Sequence, residues 1–564
     1  MLFFGDASRS AEPRAVLASL RETLAALASL PAGPDRHSAL AAALVGSGIL
    51  AQALADAPGE AGAPESMALT ASLARALWRS FRTGGRAAVP SGLPLAPLEA
   101  APMPPRVRLR RPEGFALYGL APEAHAVAAR ALSSRRDRLV VLGLRSIGTA
   151  LAAMVAAGAG SDATPFTVRP TGHPWSREVT LPHGFPARGA TVAIADEGPG
   201  LSGSSLAAAA RAALEAGAAE VVLLPAHAGG PGPAASPETR ALLASLSTRC
   251  VPSGRLVAGR GPLALPRLVE DLTGPADGPA ACLAGGAWRT HVPGAARAPS
   301  TGWLERPKHL LSAGGRRWLA RLAGHGEEGP RRLARARALA AAGLWGEPAG
   351  LRHGLILEPW LEGARPLPVA PPPARAALRA ALARWVAVAA ARPAPPEAGA
   401  DPEAVARMIS VNAAEALGPE AAAGAARLAA LAPEVARQAR AVELDGRPAA
   451  WKWHVLADGR LAKADGADHL AGHELAGCQD ALWDVAGAAL ELGLEPAEER
   501  ALAEAARAAG PGADPSLLPF YRAAHAAQEL GRWTFAASSA VGPDRARCEG
   551  ERDRYRAALA AALG

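Results

Sequence analysis

Residues Asp196-Glu197-Gly198-Pro199-Gly200-Leu201-Ser202-Gly203-Ser204-Ser205 place two adjacent carboxylates directly ahead of a glycine- and serine-rich turn. Ionised carboxylates only accept hydrogen bonds, so such a pair suits the neighbouring hydroxyls of a ribose or a divalent cation. The turn follows a short apolar run, Ala190 to Ala195, and precedes a helix expected from Ser204 to Gly217. A continuous apolar run of this length predicts a strand buried on both faces of a parallel sheet. Open α/β sheets bind ligands at the carboxyl ends of their strands, and a helix N-terminus there offers free N–H groups to a phosphate. Gly203 permits close backbone approach, and Ser202, Ser204 and Ser205 add hydroxyls. The chemistry served is recognition of a sugar phosphate; an ordinary strand-to-helix turn is the other reading of the same residues.

A second strand–loop–helix unit lies upstream. Leu139 to Leu144 is another buried-strand run, followed by Arg145-Ser146-Ile147-Gly148-Thr149 and an apolar helix. Arg145 is suited to a charge-assisted bond with a diphosphate oxygen, and Gly148 to making room for it. Together the two units resemble type I phosphoribosyltransferases, in which an acidic pair precedes the phosphate loop of 5-phosphoribosyl-1-pyrophosphate (PRPP) and an upstream loop meets the pyrophosphate. The resemblance implies PRPP contacts from Arg145, Ser146, Gly148, Thr149, Asp196, Glu197 and Leu201 to Ser205. The second acid is Glu, and the loop is one residue longer than the family pattern. Arg169, His173 and Arg177, in a hairpin-like section from Phe166 to Leu181, are candidates for a mobile basic loop. His227, just past an expected strand from Ala219 to Leu224, is a candidate base contact.

Of sixty basic residues only Lys308, Lys452 and Lys463 are lysine, and Asn412 is the only asparagine. Such a bias replaces lysine by arginine wherever a generic cation suffices, so the surviving lysines are marked for attention. Lys452 and Lys463 bracket one expected hairpin, Trp451 to Leu456 and Leu461 to Asp465, with a turn at Asp458-Gly459.

The third region has its own plan: a hairpin (Lys308 to Leu311, a Gly314-Gly315 turn, Arg317 to Leu322), a helix from Gly329 to Ala342, a strand from Gly354 to Glu358, a connector Pro359 to Gly363, alanine-rich helices, then the lysine-bracketed hairpin. This order resembles the aminoglycoside-phosphotransferase and choline-kinase branch of the kinase-like fold. The resemblance implies ATP as a co-substrate, Mg²⁺ on Asp465 and Asp445 as catalytic base. Ala450 stands where a metal-binding Asn is expected, and Arg321 where a phosphate-pairing lysine is expected. Lys452, Lys463 or Lys308 would then compensate, since arginine's fork is a poor substitute for a compact ammonium. Asp480 and Asp484, in Gln479 to Ala486, match acids that anchor the active-site loop. Asp465, Asp468, His469 and His473 also admit a zinc site or a purely structural cluster.

Composition narrows the field. A length of 564 residues allows two or three domains. The expected division is a helical region over 1–103, an α/β parallel-sheet phosphoribosyltransferase-like domain over 104–298 and an α+β kinase-like domain over 299–564. Pro112-Glu113-Gly114-Phe115-Ala116-Leu117-Tyr118 and Phe3-Phe4-Gly5-Asp6 are similar to bacterial proteins that join two such halves. The hydrophobic half of the composition is largely alanine, and no run of apolar residues reads as a membrane span. Asp6 comes too early for a secretory signal. Cysteines 250, 282, 478 and 548 form neither a CxxC pair nor a disulfide framework. The net charge of +8 is spread over helices with interleaved acids, which argues against nucleic-acid binding. A cytoplasmic location is expected. The leading expectation is a bifunctional transferase acting on PRPP or a related sugar phosphate and on ATP. The alternative is a nucleotide- or PRPP-responsive regulator that keeps the folds without the chemistry.

Overall fold

The computed structural model describes the chain from Met1 to Gly564 apart from residues 6–7, 91, 260, 262–263, 301–304, 396–397, 469–471 and 473. Its first sheet is five-stranded and wholly parallel. The strands lie side by side in the order Phe166–Val168, Leu139–Leu144, Thr191–Ala195, Glu220–Leu224 and Ser247–Thr248. In chain order this is 2-1-3-4-5, so the sequence of strands reverses between Leu139–Leu144 and Thr191–Ala195. Alternate residues serve the two faces. Val141, Ala193, Ala195, Val222 and Leu224 pack into one core, whereas Leu142, Leu144, Val192, Ile194, Val221 and Leu223 pack into another.

The first of these cores also contains the helices of the N-terminal region. Leu17 to Leu27 of the Pro13–Ser29 helix, most of Pro34–Ala55 and most of Ala63–Arg82 share it with the Gly148–Ala159 helix, which is buried along its whole length. Residues 1–103 and the parallel sheet thus form one packed layer structure. The Ser8–Ala11 strand pairs antiparallel with Val107–Arg110 and closes it. The helix Pro34–Ala55 is 22 residues long and apolar enough to cross a membrane, contrary to the sequence scan, but 72% of its most apolar stretch is buried against neighbours. It is the central helix of this core.

The second large sheet is antiparallel, in the order Ala281–Cys282, Lys308–Ala313, Arg316–Leu322, Leu355–Pro359 and Gly350–Arg352. Leu265, Leu268, Val269 and Ala280 join its core. The chain therefore packs with the third region well before residue 299. A helical mass from Arg375 to Leu563 surrounds Trp385, Trp453 and Trp483, each fully buried. The N-terminus is fastened to it. Asn412, the only asparagine, accepts from the Leu2 N–H at 2.7 Å and donates to the carbonyls of Leu2 and Ala527 at 2.9 Å each.

Candidate functional site

The hairpin Trp453–Val455/Leu461–Lys463 sets the geometry of the larger site. Trp453 lies opposite Lys463, and the Ala464 N–H donates to the Lys452 carbonyl at 2.8 Å, so both lysines are held at one end of the hairpin. The chain then turns at Asp465, whose φ is +59° and whose carbonyl accepts from the Asp468 N–H at 3.0 Å. Aspartate is among the few residues that adopt this left-handed conformation readily. The Asp465 carboxylate lies 3.4 Å from the Lys308 ammonium and 3.6 Å from that of Lys452. All three lysines of the chain therefore gather here, Lys308 from the second strand of the antiparallel sheet and the other two from both sides of the hairpin.

Lys308, Lys452 and Asp465 line a cavity of about 230 Å³ between the antiparallel sheet and the helical mass. Its walls include five tryptophans, Trp288, Trp345, Trp360, Trp451 and Trp533, together with Leu283, Leu319 and Leu361. Lys308, Lys452, Arg306, Arg317, Arg447 and Arg532 supply its positive charges, and Glu305, Asp465, Asp468 and Glu529 its negative ones. Burial drives the Lys452 ammonium down to about 7, against the pull of Asp465 and with the push of Arg447 and Lys463. Asp465 is held well below the usual carboxylate range, because Lys308, Lys452 and Lys463 outweigh its burial. The Lys308 ammonium is raised, since Asp465 and Asp468 outweigh its burial.

Several expected site residues lie behind this wall. Arg321 is 2% exposed. Its Nε and Nη2 donate to Glu358 at 2.7 and 2.9 Å, and its Nη1 donates to Asp468. Every arm of the fork is committed, so Arg321 joins the sheet to the 465–468 turn and is not the nucleotide contact expected of it. Lys463 and Asp445 form a fully buried pair at 2.7 Å, and the Trp385 indole donates to the same Asp445 oxygen at 3.2 Å. Neither residue lines the cavity. Asp445 is thus not placed as a base, nor Lys463 as a phosphate partner. Asp484 accepts from the N–H groups of Asp445 and Gly446 at 2.9 and 2.7 Å, and Asp480 from those of Arg440, Leu482 and Ala513. Both are loop anchors. His469 and His473, the alternative zinc ligands, lie outside the described residues.

Mg²⁺ takes hard oxygen ligands, one or two carboxylates together with waters and substrate phosphates, and a cation already beside a carboxylate competes for it. Here Asp465 is bracketed by two ammoniums, Asp468 carries a guanidinium, and Ala450 offers no ligand atom. The donor set therefore fits an anion placed at the lysines rather than Mg²⁺ on Asp465.

The second candidate site is the switch point of the parallel sheet. Gly148 lets the 145–149 turn approach the neighbouring strand: a Cβ there would sit 2.6 Å from the Ala195 carbonyl oxygen. Thr149 is buried beside it. The peptide between Arg145 and Ser146 is cis. Arg145 itself turns away from the loop. It donates to the Ala55 carbonyl at 2.7 Å, to Asp56 at 3.3 Å and to the Thr167 side chain and carbonyl at 3.0 and 3.1 Å. Arg169 also pairs with Asp56 and donates to the Arg145 carbonyl at 2.7 Å. Asp56, at the end of the Pro34–Ala55 helix, thus holds both arginines assigned to the pyrophosphate from sequence.

Asp196 and Glu197 stand at the end of the Thr191–Ala195 strand. Burial pushes the Asp196 carboxyl up to about 7. Burial, then Asp196 and Glu113, pushes Glu197 up to about 8. Glu197 faces the 112–118 segment, where a Cβ on Gly114 would come within 3.1 Å of its Oε2. Gly203 has a φ of +66° and precedes the Ser204–Glu215 helix. The Ser202 and Ser204 hydroxyls both donate to the Pro174 carbonyl, at 3.0 and 2.8 Å. The hairpin Thr171–His173/Ser176–Glu178 therefore covers the 198–205 turn. It carries His173, whose Nδ1 accepts from the Trp175 N–H at 3.3 Å, and Arg177, which donates to the Gly172 carbonyl at 2.6 Å. Ser205 lies in the first turn of the helix, and Leu201 is exposed at the tip of the loop. His227 packs over Gly198, where a Cβ would lie 2.3 Å from its Nε2, at the edge of the site.

Asp56, Pro174 and the cavity wall around Trp288 were not marked by any sequence pattern. No protein-family model matches the chain. No curated protein matches it either. Among solved structures the chain is similar to choline kinase LicA from Streptococcus pneumoniae, at 13% identity and a TM-score of 0.30 over 45% of this chain and 89% of that one. LicA in complex with AMP gives 14% identity and a TM-score of 0.31 over 45% and 88%. A choline/ethanolamine kinase family protein from Mesorhizobium loti gives 16% identity and a TM-score of 0.30 over 45% and 88%.

Proposed function

We propose that the chain is a two-site phosphate-ester-binding protein that responds to a nucleotide such as ATP in the tryptophan-lined cavity and to a ribose phosphate such as PRPP at the sheet switch point. The observation that carries the reading is the convergence of Lys308 and Lys452 on one cavity wall, in a chain with only three lysines. Compact ammoniums meet phosphate as point charges, and flat aromatic walls suit a planar base. Binding rather than phosphoryl transfer is favoured by the sequestration of Asp445 and by Ala450, because a base must reach the proton it removes. The ribose-phosphate reading is supported by the acid pair and the Gly203–Ser205 helix start, which follow one strand at the sheet's switch point. There the Thr171–Glu178 hairpin must lift before the serine hydroxyls can serve a phosphate.

Thermal-shift titration of the full chain tests both halves, since a ligand that binds only the folded state raises the melting temperature by mass action. ATP should raise it with EDTA present as well as with Mg²⁺, and PRPP should raise it independently. No shift with millimolar ATP in either condition sinks the cavity assignment. Steady ADP formation beyond one equivalent, with any acceptor, would replace the regulatory reading by a kinase.

A further inference from the structure

We propose that His37, Glu123 and His353 form a buried site for a divalent transition-metal ion of the zinc class, which clamps three segments of the chain together. His37 lies in the first turn of Pro34–Ala55, Glu123 begins the helix Glu123–Ala129, and His353 sits in the turn between the strands Gly350–Arg352 and Leu355–Pro359. One ligand atom from each lies within 4.8 Å of the others. His37 Nε2 is 2.9 Å from one Glu123 oxygen, and His353 Nε2 is 3.3 Å from the other. All three side chains are buried, at 1%, 1% and 8% exposure.

The contacts are close, but their angles fall short of well-formed hydrogen bonds. Both carboxylate oxygens of Glu123 are buried without a hydrogen-bond donor, and His353 Nδ1 is also without a partner. An ionised carboxylate buried with no donor is expensive, and a cation between the three groups supplies what is missing. The surroundings orient the donors as a metal site requires. His37 Nδ1 meets the Ser80 hydroxyl at 3.0 Å, and donation along that bond leaves a lone pair on Nε2. His353 has a φ of +48°, and its N–H donates to the Ser38 hydroxyl at 3.0 Å, which fixes where the ring is presented. Two imidazoles and one carboxylate are a zinc donor set with a fourth position for water. The His325 ring packs edge-on against His353, with centroids 4.8 Å apart.

Elemental analysis of the full chain, purified without chelator or affinity metal, should find close to one zinc-class ion per molecule. After removal of that ion, Co²⁺ alone should give the visible absorption of a tetrahedral site and raise the melting temperature by several degrees. Glu123→Gln, which is isosteric, and His353→Ala should each abolish the absorption. A folded, metal-free wild type that gives no Co²⁺ spectrum and no shift overturns the proposal and leaves a bare Glu–His cluster. An undiminished spectrum in both variants overturns it too. If either variant fails to fold, the metal content and Co²⁺ shift of the wild type decide.

Discussion

The Lys463 ammonium lies 2.7 Å from Oδ2 of Asp445, and neither side chain reaches solvent. This pair fastens the hairpin to the helical mass, and Asp484 holds the same stretch by its backbone. Removing one partner of a buried pair leaves an uncompensated charge and costs about 3–5 kcal/mol. Lys463→Met and Asp445→Asn should each lower the urea midpoint accordingly, and the double variant Lys463→Met/Asp445→Leu should recover most of the loss. Unfolding can be followed by tryptophan fluorescence, because Trp385 donates to Asp445. An Asp445→Asn protein of full stability would contradict the structural role.

Lys452 gives the cavity a pH signature. Burial lowers its folded pKa to about 7, far below that of the unfolded chain. Between about pH 7 and about pH 10 the unfolded state therefore binds more protons, and this group adds stability as pH rises. Anion binding needs the charged form and runs the other way, so ATP affinity measured calorimetrically should weaken from about pH 6 to about pH 9. Lys452→Gln should cost about 10- to 100-fold in affinity, the range of a charge-assisted hydrogen bond, and flatten that profile.

Asp196 and Glu197 are destabilising as they stand. Their folded pKa values, about 7 and about 8, lie above those of the unfolded chain. The native state binds more protons through this window, so stability falls as pH rises from about 4 to about 8. Asp196→Asn and Glu197→Gln should therefore raise the melting temperature at about pH 8 while weakening PRPP binding, as expected where function is held against stability. A loss of stability in both variants would make the acids structural.

If the 198–205 turn holds the phosphate proposed for it, the hairpin that covers it should respond to ligand. Its backbone meets the loop through the Pro174 carbonyl and the Ser202 and Ser204 hydroxyls. PRPP should speed amide exchange across 171–178 while slowing it at the start of the Ser204–Glu215 helix. Unchanged exchange at saturating PRPP, established by the melting shift, would place the ligand elsewhere.

Local pattern made much of this fold legible. The apolar runs at Leu139–Leu144 and Thr191–Ala195, the Ser204–Glu215 helix and both hairpins of the third region lie where period and turn chemistry put them. Phe166–Val168 was read as part of a hairpin because its partner, Leu142 to Leu144, is distant in sequence and parallel. The lysine bias singles out residues that the fold brings together, but not what each of them faces. Whether a lysine faces a cavity or a buried aspartate depends on what packs behind it, and Lys463 has Trp385 and Asp445 there. The placement of Arg145 is hidden for a similar reason, since its partner Asp56 is brought by a helix some ninety residues earlier. His37, Glu123 and His353 have no spacing that relates them, and only the packing of three layers brings them together.

The scarcity of lysine turns the cavity into a chemically addressable place. Arginine does not acylate or form imines under mild conditions, and the α-amino group of Met1 is ion-paired to Glu415. Lys463 is sealed against Asp445, while Lys308 and Lys452 line the cavity. An amine-selective reagent applied to the whole chain thus has very few targets, and the one with an ammonium pKa lowered to about 7 is the most nucleophilic. The extent of its labelling, read by intact mass, reports occupancy of the cavity directly, with no need to know which phosphate ester fills it.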